Sequence, residues 1–355
     1  MSGTSLDGID AVLVEFDCNR CNILGTYYLS FPDGFREEIL DLNSPGTDEI
    51  SRAQLLGNRL SKLYAQCVQQ LLEECECPAA SIIAIGCHGQ TIRHRPDLGY
   101  TVQIGNAAML AELTGISVTT DFRSRDIAAG GQGAPLVPAF HQAMFSNDQC
   151  HRVVVNIGGI SNLSNLPPNG KTIGFDCGPG NLLMDAWSSE HLHTPYDKDG
   201  AWAAAGNCIP QLLEQMLAEP FFASPPPKST GRDTFHLNWL KNHLQKEYES
   251  IDIQATLLEL TAKSISEAIS RHCPGYDEIY LCGGGARNSA LVSRLQSLLH
   301  GKLVQNTDIL GIPADWVEAV AFAWLAKQRL EEKPGNLPEV TGAVGARILG
   351  AIYPA

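Results

Sequence analysis

Along the chain, short apolar runs alternate with segments whose apolar residues recur at helical spacing. Between Ala53 and Cys75, Leu55, Leu56, Leu60, Leu63, Val68, Leu71 and Leu72 fall near a 3.6-residue repeat, which predicts an amphipathic helix. Ile82-Ile83-Ala84-Ile85-Gly86 follows as a buried strand that runs into Cys87-His88-Gly89-Gln90-Thr91. Val153 to Ile157 is a second strand, ending in Gly158-Gly159. Glu278 to Cys282 is a third, followed by Gly283-Gly284-Gly285 and a helix from about Ser289 through Leu299. Strands alternating with helices predict an α/β fold. The loop Ser224–Gly231, stiffened by Pro225-Pro226-Pro227, is a short connector rather than a helix.

An internal echo sharpens this pattern. Met1 to Val14 and Val153 to Leu166 each set a turn of small residues, Ser-Gly-Thr-Ser or Gly-Gly-Ile-Ser, beside β-prone sequence. Each reads as a glycine-rich hairpin, one per half of the chain, whose backbone N–H groups can face an anion. With the glycine triplet after a third strand, the trio points to a nucleotide held between two related domains. The hairpins approach the phosphates and the triplet lies flat against base or ribose. The first turn, Gly3-Thr4-Ser5-Leu6-Asp7-Gly8-Ile9-Asp10, adds two carboxylates. Acids beside a phosphate loop make sense when a divalent metal or a substrate hydroxyl lies between them, and Asp7 is the better placed holder of magnesium. Taken alone, the stretch also reads as an ordinary serine- and glycine-rich turn.

Composition narrows the class. At 355 residues the chain has room for two domains, and 44% hydrophobic with 18% charged residues is the balance of a soluble globular protein. A net charge of −14, from 39 acids against 25 bases, argues against general affinity for nucleic acid or an anionic membrane. No run approaches the ~20 apolar residues of a membrane span. No basic-then-apolar leader opens the sequence, so a cytoplasmic enzyme is expected. The 11 cysteines are scattered and odd in number, the usage of reduced thiols. Cys18 with Cys21, and Cys75 with Cys77, lack the further ligands of a tetrahedral zinc site and read as surface thiols.

Rival motifs fail in detail. Gly170-Lys171-Thr172 resembles the end of a P-loop, but the position of its first glycine is Asn165. Gly283-Gly284-Gly285-Ala286-Arg287-Asn288 approximates G-x-G-x-x-G, yet its last position is Asn288 and it lies far from the first βα turn of a dinucleotide fold.

Those residues resemble the superfamily of sugar kinases, Hsp70 and actin, and within it the bacterial anhydro-N-acetylmuramic acid kinases. The resemblance is carried by Met1-Ser2-Gly3-Thr4-Ser5-Leu6-Asp7-Gly8, Gly86-Cys87-His88-Gly89-Gln90-Thr91, Asp121-Phe122-Arg123-Ser124-Arg125-Asp126 and the run Gly130–Pro138. It continues through Asn156–Leu163, Phe175–Asn181, Lys228–Arg232, Cys282–Asn288 and Leu337–Ala343, and so spans essentially the whole chain. It implies a two-domain actin-like ATPase fold with its active-site cleft between the domains: residues 1–125, with 340–355 packing back onto them, and residues 126–339. It implies ATP and Mg2+, small-molecule substrates, and a dual reaction. The 1,6-anhydro bridge of anhydro-N-acetylmuramic acid is hydrolysed and O6 is phosphorylated, giving N-acetylmuramic acid 6-phosphate for cell-wall recycling. A homodimer is compatible with this reading. In the family a strand usually precedes the first motif, an Asp usually stands at the position of Asn106, and a Thr usually follows the acid at Asp176, where this chain has Cys177.

The chemistry assigns roles. Opening the bridge with water needs a base, and phosphoryl transfer needs in-line geometry with charge neutralisation. Asp176, after Thr172–Phe175 and before Gly178-Pro179-Gly180, is the candidate base; its bland reading is an Asx-turn or a cap for a helix at Leu182. Glu318, in the apolar helix start Trp316–Phe322, is the second catalytic candidate, or a charge favoured by the helix dipole. Gly3 to Asp10, Gly158, Gly159, Gly283, Gly284, Gly285 and Asn288 are the nucleotide-binding set. Gln90, Thr91, Arg123, Arg125 and Asp126 are the sugar-binding set, the arginines suiting the lactyl carboxylate of a muramic sugar, with a solvated salt-bridge cluster as the alternative. His88 reads as a satisfied strand-end histidine. Two other functions stay open: an ordinary hexose kinase without hydrolysis, and a non-catalytic, ATP-switched binding protein.

Overall fold

The β-prone run after the first glycine turn forms a long strand. In the computed structural model, which describes residues 1–3, 6–17, 20–299 and 301–355, β1 (Gly8–Asp17) pairs antiparallel with β2 (Arg20–Ser30). Contacts divide the chain into two units, Met1–Met144 with Trp316–Ala355, and Phe145–Asp315. The first unit is larger than the expected 1–125 plus 340–355. The helix Val317–Leu330 packs on β1, so it belongs with the N-terminal residues.

In the first unit the helix Glu49–Glu74 buries Leu56, Leu60, Tyr64, Cys67 and Leu71, successive steps of three and four residues along one face. Leu55 is off that face and 65% exposed. The buried face meets Ile9, Ile39, Ile104, Leu110 and Val118 in one core. Of the expected strand 82–86, only β3 (Ile85–Gly86) forms, and Ile83 is 83% exposed. A hairpin of β4 (Gln90–Arg95) and β5 (Tyr100–Ile104) follows. The ladder of β3 is short because its parallel partner, β6 (Val118–Thr120), has three residues. The other edge of β6 takes the strand Ala351–Tyr353 antiparallel, which ties the C-terminal residues to this unit. A cavity of about 650 Å³ lies between β1 and β3, lined by Val12, Val14, Leu71, Ile83 and Leu330.

The second unit is built on one sheet. Its strands are β7 (Arg152–Ile157), β8 (Ile160–Leu166), β9 (Ile173–Pro179), β10 (Glu278–Cys282) and β11 (Val304–Asn306), in the order β11-β10-β7-β8-β9. β7, β8 and β9 run antiparallel, whereas β10 and β11 continue parallel to β7. Val153, Val154 and Val155 are all fully buried, so β7 is covered on both faces, which explains its unbroken apolar run. The helix Ser250–His272 packs on β8 and β9. Among the described residues no helix is long and apolar enough to cross a membrane.

Candidate active site

The second unit gathers three glycine-bearing turns. Gly158 and Gly159 join β7 to β8, the second hairpin read in the sequence. The chain leaving β9 is fastened to this turn: the Gly180 and Leu182 N–H groups donate to Gly159 O at 2.9 and 3.1 Å, and Asn181 N–H to Gly158 O at 2.8 Å. The glycine triplet leaves β10 against the same place. Gly283, at φ +77°, has no room for a side chain, because a Cβ would strike Asn156 Oδ1 and the Ile157 carbonyl. A Cβ on Gly285 would strike the Ile157 side chain, whereas on Gly284 it would meet only Asn181 Nδ2, at 3.8 Å. Asn288 caps the helix Ser289–Leu298, accepting from Leu291 N–H at 3.0 Å. These groups, expected as the nucleotide set, come together within this unit.

Asp176 also lies here, within β9 rather than after it. The strand continues to Pro179, and the residue before the helix Leu182–Leu192 is Asn181, so Asp176 is not that helix's cap. It is 9% exposed. Its backbone N–H donates to Lys228 O at 3.1 Å, and one carboxylate oxygen accepts the Thr230 N–H at 2.9 Å. The connector 224–231, irregular as expected, therefore lies along β9. Lys228 donates to Phe221 O at 3.0 Å and lies 4.5 Å from the centre of the Phe221 ring. Burial pulls its pKa below the ordinary lysine value. Asn162, opposite Asp176 in the ladder, and Thr230 each carry a buried side-chain oxygen without a hydrogen-bond partner among the described residues. Sequence reasoning did not single out Asn162, Lys228 or Thr230. Their signal lay inside the motifs, at positions whose nearness to Asp176 only the strand register reveals.

The first unit brings together a different set. His88 is buried; its Nδ1 donates to Gly89 O at 2.8 Å, and its Nε2 accepts from Arg123 Nη2 at 2.9 Å and Nε at 3.2 Å. The ring stacks at 4.6 Å on Phe322, from the helix that begins at Val317. Burial, then the Arg123 charge, holds the His88 pKa well below the imidazole range. This histidine is neutral and anchors Arg123. Glu318, in the first turn of the same helix, is raised by burial and pulled back by Arg123. Gln90 is buried, its side-chain oxygen without a hydrogen-bond partner among the described residues, and Thr91 Oγ1 accepts from Gln103 at 3.1 Å.

Other expected residues lie elsewhere or play other parts. Arg125 is exposed and borders a second cavity with Asp121, Arg329 and Arg347, away from the partners of Arg123. Asp126, expected as a sugar ligand, is fully buried, and its carboxylate accepts hydrogen bonds from Gly133, Asn336 and Thr341. Leu6 and Ile9 point into the core, so only their main chain is open to a ligand. Asn106 is a helix cap, accepting from Met109 N–H at 3.0 Å. Thr4 and Ser5 lie outside the described residues, as does Cys18; Cys21, Cys75 and Cys77 are free thiols. Asp7 is exposed beside Gly3 and Gly8 on the first turn, with Asp10 half-buried. Among the described residues no three His, Cys, Asp or Glu side chains gather around one point. The donor set fits an ion such as Mg2+, which takes one or two carboxylates and otherwise water and phosphate oxygens.

Two mixed α/β units, the second with glycine turns gathered at its strand ends, belong to a chain whose family is one of kinases. The family described as anhydro-N-acetylmuramic acid kinase matches residues 1–355, and the chain belongs to that family. Relatives of that name from Nitrosomonas europaea and Nitrosospira multiformis are each 56% identical over 357 residues, covering 100% of this chain and 98% of theirs. The relative from Pseudomonas syringae pv. tomato is 54% identical with the same coverage. Among solved structures, the activator of the 2-hydroxyisocaproyl-CoA dehydratase from Clostridium difficile covers 92% of this chain and 97% of its own, at 13% identity and a TM-score of 0.45.

Proposed function

We propose that this kinase acts on 1,6-anhydro-N-acetylmuramic acid, using ATP and water to open the anhydro bridge and to phosphorylate O6. The products are N-acetylmuramic acid 6-phosphate and ADP, and the setting is the cytoplasmic recycling of cell-wall material. The observation that carries this reading is Asp176, a nearly buried carboxylate held by Thr230 N–H beside the unpartnered oxygens of Asn162 and Thr230. An oriented base with acceptors around it is what the attacking water requires.

In this reading Asp176 takes a proton from water as its oxygen bonds to the anomeric carbon. The bond from that carbon to O6 breaks, and O6 bonds to the γ-phosphorus of ATP as ADP leaves. The glycine turns at 158–159 and 283–285 hold the nucleotide through backbone N–H groups. Arg123 binds the lactyl carboxylate, and Glu318 and Gln90 face the sugar. Asp7 would hold Mg2+, which would supply neutralisation of phosphate charge. Arg125 is a sugar ligand in the same proposal only if the sugar reaches beyond Arg123.

The test is turnover in oxygen-18 water, with product trapped before mutarotation. Label at the anomeric hydroxyl and none in the phosphate is expected. Label in phosphate alone, or phosphorylation of ordinary hexoses with the anhydro sugar untouched, would overturn the reading in favour of a simple sugar kinase.

A further inference from the structure

The acid expected to hold sugar has another use. Asp126, in the helix Ser124–Ala128, is 0% exposed. A carboxylate so buried is costly unless its oxygens are well bound. Oδ1 accepts from Asn336 Nδ2 at 2.6 Å and from Thr341 Oγ1 at 2.7 Å. Oδ2 accepts the Gly133 N–H at 2.7 Å. All three donors are neutral, and two lie more than two hundred residues away in sequence. The main chain follows the same seam: Gln132 N–H donates to Thr341 O at 2.7 Å, and Val344 N–H to Ala129 O at 2.9 Å. Asn336 is fixed in turn, since its Oδ1 accepts the Arg347 N–H at 2.7 Å.

Gly133 is the pivot of this arrangement. Its N–H goes to Asp126, while its carbonyl accepts Arg123 Nη1 at 2.7 Å. The rest of the guanidinium is turned onto His88 Nε2. A second contact keeps the loop seated: a Cβ on Gly131 would strike Asp126 Oδ2 itself, so loop and carboxylate are packed without a gap.

We propose that Asp126 is a positioning residue, which acts through Gly133 to set the Arg123 guanidinium, and that residues 336–341 take part by fixing Asp126. The inference rests on the reading above that Arg123 binds the sugar. Asp126→Asn is the direct test, because the amide places an N–H group opposite the Gly133 N–H while leaving an acceptor for Asn336 and Thr341. We expect the KM for the anhydro sugar to rise about tenfold and that for ATP to stay within about twofold. In an Arg123→Lys background, the same change adds less than about twofold, since coupled residues are not additive. The nitrogen-15 resonance of His88 Nε2, assigned with His88→Gln, shifts in Asp126→Asn because its donor has moved. Additive effects, equal rises in both KM values, or an unmoved His88 resonance in a folded variant would each overturn the proposal. Should Asp126→Asn not fold, Thr341→Val removes one Oδ1 donor and carries the same measurements, with a smaller shift expected. A wild-type protein inactive on the sugar would sink the functional reading, whereas the His88 resonance still decides the linkage.

Discussion

The two units hold their candidate groups in opposite ways. In the second unit the candidate nucleotide set is made of backbone: turns at Gly158, Gly180 and Gly283 pressed together at strand ends, with no space for a side chain at Gly180 or Gly283. In the first unit Arg123, a candidate sugar ligand, is a side chain held by His88 and the Gly133 carbonyl, and Asp126 behind Gly133 is bound across a long stretch of sequence to Asn336 and Thr341. A backbone cradle fails when volume is added, and a buried polar network fails when charge or a donor is changed. The two therefore answer to different perturbations.

The largest effect belongs to Asp176. Asp176→Asn keeps an oxygen for the Thr230 N–H and so is expected to fold. General-base catalysis contributes roughly 10²- to 10⁴-fold, and bridge opening and phosphorylation should fall together by that order. ATP affinity, measured by calorimetry, should hold. A folded variant within about tenfold of wild type would place the base elsewhere.

Volume distinguishes the glycines next. Gly284→Val points a side chain into space where the protein offers only Asn181 Nδ2, so the variant should fold normally while the KM for ATP rises by about tenfold or more. Gly285→Val must displace Ile157 and should lower stability by ~1–3 kcal/mol, the usual cost of overpacking. Identical melting temperatures for the two, or a sugar KM that rises as much as that for ATP in Gly284→Val, would remove the distinction.

This contrast also explains what the sequence disclosed. The backbone half was legible, because glycines next to apolar runs mark turns and because β7, the helix Glu49–Glu74 and the helix after Asn288 obey simple periodicities. The side-chain half was legible only as a list of polar residues. Nothing local distinguishes Arg123, which meets His88, from Arg125, two positions on, which borders another cavity. The role of Asp126 depends on Asn336 and Thr341, which no local pattern could link to it. Strand ends were misjudged where pairing set them: β3 shrank to its partner's length, and β9 ran on through Asp176.

Acid tests the first unit's polar interior. His141 is fully buried in the helix Val137–Phe145, and burial pushes its pKa down to about 3. Its unfolded value is about 6.5, so the unfolded chain binds more protons between these limits. Stability contributed by the neutral ring is therefore present above about pH 6.5 and lost as pH falls, by up to ~1.4 kcal/mol per pH unit. His88 acts in the same direction. Urea unfolding at pH 7, 6 and 5 should show this slope, and His141→Gln should flatten it even if stability at pH 7 is lower. A slope unchanged by the substitution would mean that His141 is not neutral in the folded protein.

The smallest effect, and the one of opposite sign, is at Glu318. Burial raises its pKa while Arg123 draws it back, leaving a carboxyl that the folded chain holds protonated more readily than the unfolded chain does. A raised acid favours folding below its unfolded pKa and withdraws that contribution as pH rises through the folded value. Glu318→Gln removes this cost at neutral pH, so its melting temperature should exceed that of wild type at pH 7.5, with the gain shrinking toward pH 4. Turnover should drop in the same variant, since a group retained against stability belongs to function. Arg123→Gln should enlarge the effect of Glu318→Gln, because the ionised acid then loses the stronger of the two positive charges acting on it, Arg123 ahead of the N-terminus. A melting-temperature gain that does not depend on pH would assign the effect to packing rather than to charge, and the first unit's site would then need another acid.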